Sequence, residues 1–147
     1  MSYNLAPAYY RQILEQAPDA VLFSDREGII RFWNRSAELL FGFSQAQALG
    51  QSLDLIIPEK LRGRHWEGYH RVMATGETHY GSKLLAVPAQ RQDGSQLSSE
   101  FSIVMLRDPG GKVLGVAAIM RDISERWQQE KSLKARIAAL EAERNPA

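Results

Sequence analysis

Two tight turns are written into the second half of the chain, at Gln92-Asp93-Gly94-Ser95 and Asp108-Pro109-Gly110-Gly111. Each sets small turn formers between longer stretches of β-favouring residues. They divide the second half of the chain into three strand-like segments, Thr78 to Gln90, Gln96 to Arg107 and Lys112 to Met120. Strands joined this tightly run antiparallel, because a parallel crossover needs a dozen or more residues. An antiparallel sheet assembled late in the chain is therefore expected.

The first half supplies the rest of the layout. Ala20 to Ser24 and Ile29 to Trp33 are short β-rich runs. Asp25-Arg26-Glu27-Gly28 joins them as a polar connector ending in glycine, which reads as a hairpin. Before them, Pro7 to Gln16 reads as a short amphipathic helix, apolar at Leu5, Tyr9, Ile13 and Leu14 and suited to capping the core or joining a dimer contact. Asn34 can cap a helix over Arg35 to Phe41, with Ala37, Leu40 and Phe41 at helical spacing and Gly42 as its stop. Ser44 caps another short turn that Gly50 ends. After the apolar run Leu53 to Ile57, Pro58-Glu59 opens a helix running to about Ala74, with Thr75-Gly76-Glu77 as its stop. Two strands, several short helices, then three strands make an α+β pattern.

From Asp122 the character changes. Asp122-Ile123-Ser124-Glu125 matches a capping box, Asp in the cap and Glu three residues on. Ile123, Leu133, Ile137 and Leu140 fall on a/d positions of one heptad register, interrupted by Arg126 and Glu130. A coiled coil of about three heptads is expected. The alternative is an amphipathic helix packed back on the sheet.

Bulk properties exclude several function classes. The chain's 147 residues fit one domain plus a tail. A net charge of +1 provides no field to gather nucleic acid or an anionic membrane, so neither partner is expected. No apolar run approaches transmembrane length, and Met1 to Tyr10 lacks the form of a signal peptide, so a cytoplasmic location is the default. With no cysteine, disulfides, thiolate zinc sites, thiolate catalysis and covalent haem attachment are all unavailable. No nucleophile elbow, phosphate-cradling Gly loop or H-E-x-x-H string is present, so an enzyme is not expected. His65 and His70 are spaced i+5, a poor metal pair. Lys60, Arg62, Arg64 and Arg71 interleave with Glu59 and Glu67, as on a solvated helix face.

The order of elements and several local strings resemble the PAS family. The strings are Pro18-Asp19-Ala20, Asp25 to Gly28, Trp33-Asn34 with Ala37-Glu38, Leu40-Phe41-Gly42-Phe43-Ser44, Gly50, Asp93-Gly94-Ser95 and Arg121-Asp122-Ile123-Ser124-Glu125. The resemblance implies a five-stranded antiparallel sheet with short helices on one face, an N-terminal helix and a C-terminal signalling helix. It implies three regions: a helical cap over 1–17, the PAS domain over 18–121 and a signalling helix or coiled coil over 122–147. Such domains dimerise, here through the N- and C-terminal helices, and report to an effector such as a histidine kinase or a diguanylate cyclase. Asp122, Ile123 and Glu125 would carry the signal from sheet to helix.

Ile57-Pro58-Glu59-Lys60-Leu61-Arg62-Gly63-Arg64-His65 looks like the haem-binding segment of FixL-type oxygen sensors. That resemblance makes His65 the proximal ligand of a b-type haem iron and puts Arg71 and His79 near the propionates. By helical spacing Leu61, Tyr69 and Val72 share the face of His65. Where such oxygen sensors carry an Arg that hydrogen-bonds bound oxygen, this chain has Leu85, with Lys83 two residues earlier. The distal side would be Leu85, Phe101 and Ile103, without a donor, suited to carbon monoxide, nitric oxide or redox sensing. A solvated strand lysine is the better reading of Lys83. The lack of cysteine removes covalent flavin and Cys-linked chromophores. Two readings stay open beside haem: a cofactor-free dimerisation module, and a sensor of an unidentified small organic ligand.

Overall fold

Residues 4–78 and 84–144 are described in the computed structural model, and their strands form one sheet with the order β2-β1-β5-β4-β3. Helix α1 (Pro7–Gln16) leads into β1 (Ala20–Asp25) and β2 (Ile30–Trp33). Two short helices follow, α2 (Arg35–Phe41) and α3 (Gln45–Ala48), then a 3-10 turn (Leu53–Ile56) and the long α4 (Glu59–Thr75). Strands β3 (Leu85–Gln90), β4 (Gln96–Arg107) and β5 (Val113–Asp122) complete the sheet, and α5 (Ser124–Arg144) leaves its end. All four strand pairings are antiparallel. The expected fold is the one observed.

Local chemistry places these boundaries. Asn34 Oδ1 accepts from Ala37 N, capping α2, and also from Val21 N in β1. Its amide donates to Leu14 and Asp19 carbonyls, so one fully buried residue ties α1, β1 and α2 together. Ser44 and Gln47 form a reciprocal capping box on α3. Gly76, at φ 71°, supplies the left-handed C-cap of α4 and donates to Val72 O.

The core lies between the sheet and α2, α3 and the 3-10 turn. Ile30, Trp33, Ala37 and Phe41 are wholly buried there, with Trp33 and Phe41 rings 5.4 Å apart. Register puts Ala20, Met120, Phe101 and Leu85 in one row across the inner face, and Leu22, Ala118 and Ile103 in the next.

Three local readings are corrected. Pairing among the described residues begins at Leu85, opposite Phe101, later than the β-like run from Thr78; residues 79–83 of that run, His79 and Lys83 among them, lie outside the described residues. Pro58 is the N-cap of α4 and not its first helical residue, since its ψ of 138° is extended. Strand β5 runs two residues past Met120, because Arg121 and Asp122 still pair with Glu100 and Ser99. Asp122 is thus the end of a strand. Its Oδ1 accepts from Ser124 N, two residues on, in place of the three-residue reach of a capping box.

Candidate functional site

Helix α4 is fastened over the β1–β2 end of the sheet by its own aromatic residues. The Trp66 indole N–H donates to Asp54 Oδ1 at 2.7 Å, and its ring lies against Gly28, where a Cβ would sit 2.1 Å from Cη2. One turn on, the Tyr69 hydroxyl donates to Asp25 O. A phenol has one hydrogen, so Ser24 Oγ, 2.9 Å away, must donate to it. Burial, together with the nearby Asp25 and Glu27 charges, pushes the Tyr69 phenol up despite the Ser24 bond, keeping it a neutral donor. At the far end of the helix, Arg26 donates to Met73 O and Val113 O, and Arg107 to Gly76 O. These arginines satisfy terminal helix carbonyls.

His65 sits one turn before Tyr69, partly buried, its ring 4.7 Å from Trp66 and 5.6 Å from Tyr69. Its Nδ1 is buried with no hydrogen-bond partner among the described residues. Burial lowers its pKa, the Asp54 charge opposes this, and His70 adds to it. The neutral imidazole that results is the form that binds a metal.

The expected companions of His65 are placed unevenly. Tyr69 is buried and Val72 packs against the core. Arg71 is exposed and pairs with Glu67 at 3.5 Å, on the solvent side of α4. Leu85, Phe101 and Ile103 lie on the inner face of the sheet and are half-buried, whereas Ala20 and Leu22 in the same rows are buried. The inner face is therefore less completely covered at the Leu85 and Ile103 end of β3 and β4, while Ala89, Leu97 and Ser99 on the same strands are buried. His65 offers a neutral imidazole and Leu85, Phe101 and Ile103 an apolar surface without a donor, the chemistry that a haem would require of its two sides.

The junction between β5 and α5 is stitched from both sides. Ile123 N donates to Ser98 O, and Ser98 N to Ser124 Oγ, so the first residues of the helix remain bonded to β4. Arg91 Nη2 stands 3.1 Å from Asp122 Oδ2, and Arg126 pairs with Glu100. Desolvation acts upward on the Asp122 carboxyl, yet bonds from Ser124 and Arg91 hold it below the usual range. Glu125 is exposed in the first turn of α5. The helix has no buried residue, and Leu133, Ile137 and Leu140 are 59%, 54% and 55% exposed. It does not fold back over the sheet.

Trp66, Arg91, Ser98 and Arg26 were not singled out from the sequence. Only Arg91 carried a local hint, standing next to the β3–β4 turn; the others act through partners far away in the chain.

Comparisons agree with this geometry. The PAS fold family matches residues 8–123. Sensor protein FixL of Bradyrhizobium diazoefficiens is 31% identical over 86% of this chain and 25% of its own length. Oxygen sensor protein DosP of Escherichia coli is 27% identical over 94% of this chain and 17% of its own. The chain thus spans a quarter or less of these curated relatives. Among solved structures, a PAS domain from Colwellia psychrerythraea superposes with a TM-score of 0.70 at 21% identity, covering 80% of this chain and 97% of that one. No helix among the described residues is long and apolar enough to cross a membrane.

Proposed function

Because the chain belongs to the PAS family, we propose that it is a non-catalytic sensory module that detects a ligand under α4 and relays the event through α5 to an effector domain. The observation that carries the reading is the bonded junction. Ile123, Ser98 and Ser124 join strand and helix without slack, so a shift of β4 against β5 moves the base of α5. Its relatives include proteins named as sensors.

The relay works on a dimer in this reading. A helix of 21 residues spans about 31 Å, and one with an unburied apolar seam gains its stability by pairing. Helix α1, with Tyr9, Tyr10, Ile13 and Leu14 exposed, supplies a second contact. The regions 1–17, 18–121 and 122–147 then serve as cap, sensor and relay.

For the sensed species we favour b-type haem held by His65, supported by the partly buried neutral imidazole, whose Nδ1 has no hydrogen-bond partner among the described residues. Haem would supply an iron centre for a diatomic gas or a redox change. Leu85, Phe101 and Ile103 would wall the distal side, and Arg71 lies on the same helix for a propionate. Protein produced with ample haem should show a Soret band that is lost in His65→Ala. A colourless protein with no spectral titration on adding haem would end this reading. A second reading rests on Tyr69, whose bonds to Ser24 and Asp25 close the β1 side of the cleft; it leaves space for a small organic ligand or none. Colourless protein that still dimerises through α5 would favour it.

A further inference from the structure

Away from His65, a groove of about 440 Å³ opens between the 3-10 turn, the start of α4 and the β3–β4 turn. Its volume falls within the roughly 300–1,000 Å³ of small-molecule sites. Phe43 and Leu55 give it an apolar wall, and Arg62, Arg91 and Asp54 supply its charge.

Both arginines are held in place yet keep free donors. Arg62 gives Nε to Ile57 O and Nη2 to Asp54 O, with Nε also 3.9 Å from Asp54 Oδ1, which leaves Nη1 without a hydrogen-bond partner among the described residues. Arg91 gives Nη1 to Ser95 Oγ and Gln96 O and Nη2 to Asp122, leaving Nε without a partner among the described residues. A guanidinium carries five N–H donors in a planar fork that suits a carboxylate. Asp54 sets the opposite requirement: with Oδ1 taken by Trp66, Oδ2 accepts a donor and repels an anion. A ligand complementary to all three carries carboxylate groups toward the arginines and a hydroxyl toward Asp54.

We propose that this groove binds a small hydroxy-dicarboxylate, whose carboxylate competes with Asp122 for Arg91. Binding then acts directly on the residue that ends β5, one position before Ile123 enters the helix junction. The groove's lining does not include His65, although Asp54 acts on that imidazole by its charge, and the proposal does not require haem.

Isothermal titration of the chain with L-malate tests it, with malamide and inorganic phosphate as controls. Malate should saturate the site while malamide and phosphate do not. Arg62→Gln and Arg91→Gln should each weaken binding by at least about tenfold, the scale of a lost charge-assisted hydrogen bond. Asp122→Asn removes the competitor and should tighten binding about two- to fivefold, as expected for one exposed ion pair. That gain distinguishes a defined site from general anion attraction. Circular dichroism checks folding, and if Arg91→Gln fails to fold, Arg62→Gln and Asp122→Asn decide. The proposal is overturned by absence of saturation, by phosphate binding as well as malate, by unchanged affinity in Arg62→Gln, or by Asp122→Asn binding no more tightly than the parent.

Discussion

The Tyr69 hydroxyl lies 2.9 Å from Ser24 Oγ and donates to the neighbouring Asp25 carbonyl, so a single phenol pins α4 to the end of β1. Ser24 is 1% exposed, and no water replaces a partner it loses there. Tyr69→Phe keeps the ring and removes the hydroxyl. The expected loss is about 1–3 kcal/mol, the cost of leaving buried polar groups unpaired. Urea denaturation should show a lower midpoint at unchanged slope. An unaltered midpoint would mean that the pin contributes nothing to stability.

The Trp66 ring occupies the space over Gly28, whose φ of 78° already disfavours a side chain. Gly28→Ala therefore meets backbone strain and a clash with the indole together. We expect a loss of about 1–3 kcal/mol, with a change in tryptophan fluorescence as the ring moves off the β1–β2 turn. Stability equal to the parent with unchanged emission would contradict this packing.

Much of the fold was legible because its signals are local. Asn34, Ser44, Gly42 and Gly76 mark helix ends through bonds that reach three or four residues, and the Asp-Gly and Pro-Gly turns set the strand order of the second half. What escaped depends on partners far apart in the chain. Tyr69 finds Ser24 at a separation of 45 residues, and Arg91 finds Asp122 at 31. Neither periodicity nor turn chemistry encodes such pairs. Asp122 shows the failure clearly: its string satisfies a capping box, but pairing of Arg121 and Asp122 with β4 extends the strand and moves the helix start to Ser124. At His65 the helical face could be read from i±4 spacing, while its unpartnered Nδ1 depends on the packing of Trp66 and Tyr69.

His65 gives the stability of the haem-free chain a pH dependence with a definite sign. Burial lowers its folded pKa below the ordinary value of 6.5, so between the two values the unfolded chain binds more protons. Its contribution is present above pH 6.5 and is lost as pH falls toward the folded pKa. The melting temperature should therefore fall between pH 7.5 and 5.5, and the fall should be smaller in His65→Gln. Parallel melting curves for the two proteins across that range would contradict the assignment of a buried neutral imidazole.

The exposed seam of α5 leads to a prediction that separates assembly from folding. Ile137 and Leu140 are more than half exposed and lie about three to four turns beyond the last described contact with the sheet, the Arg126–Glu100 pair. Replacing Ile137 with Asp places a charge in the seam and leaves every core residue untouched. In a coiled-coil dimer that charge must be desolvated against its symmetry mate, which disfavours pairing. Light scattering should report a shift from dimer toward monomer, while the far-ultraviolet signal of the sheet and the accessibility of the core tryptophan Trp33 remain those of the parent. Truncation after Ile123 should have the same effect on mass. An unchanged dimer mass in both variants would remove α5 from the interface and leave α1 and the outer face of the sheet to account for association.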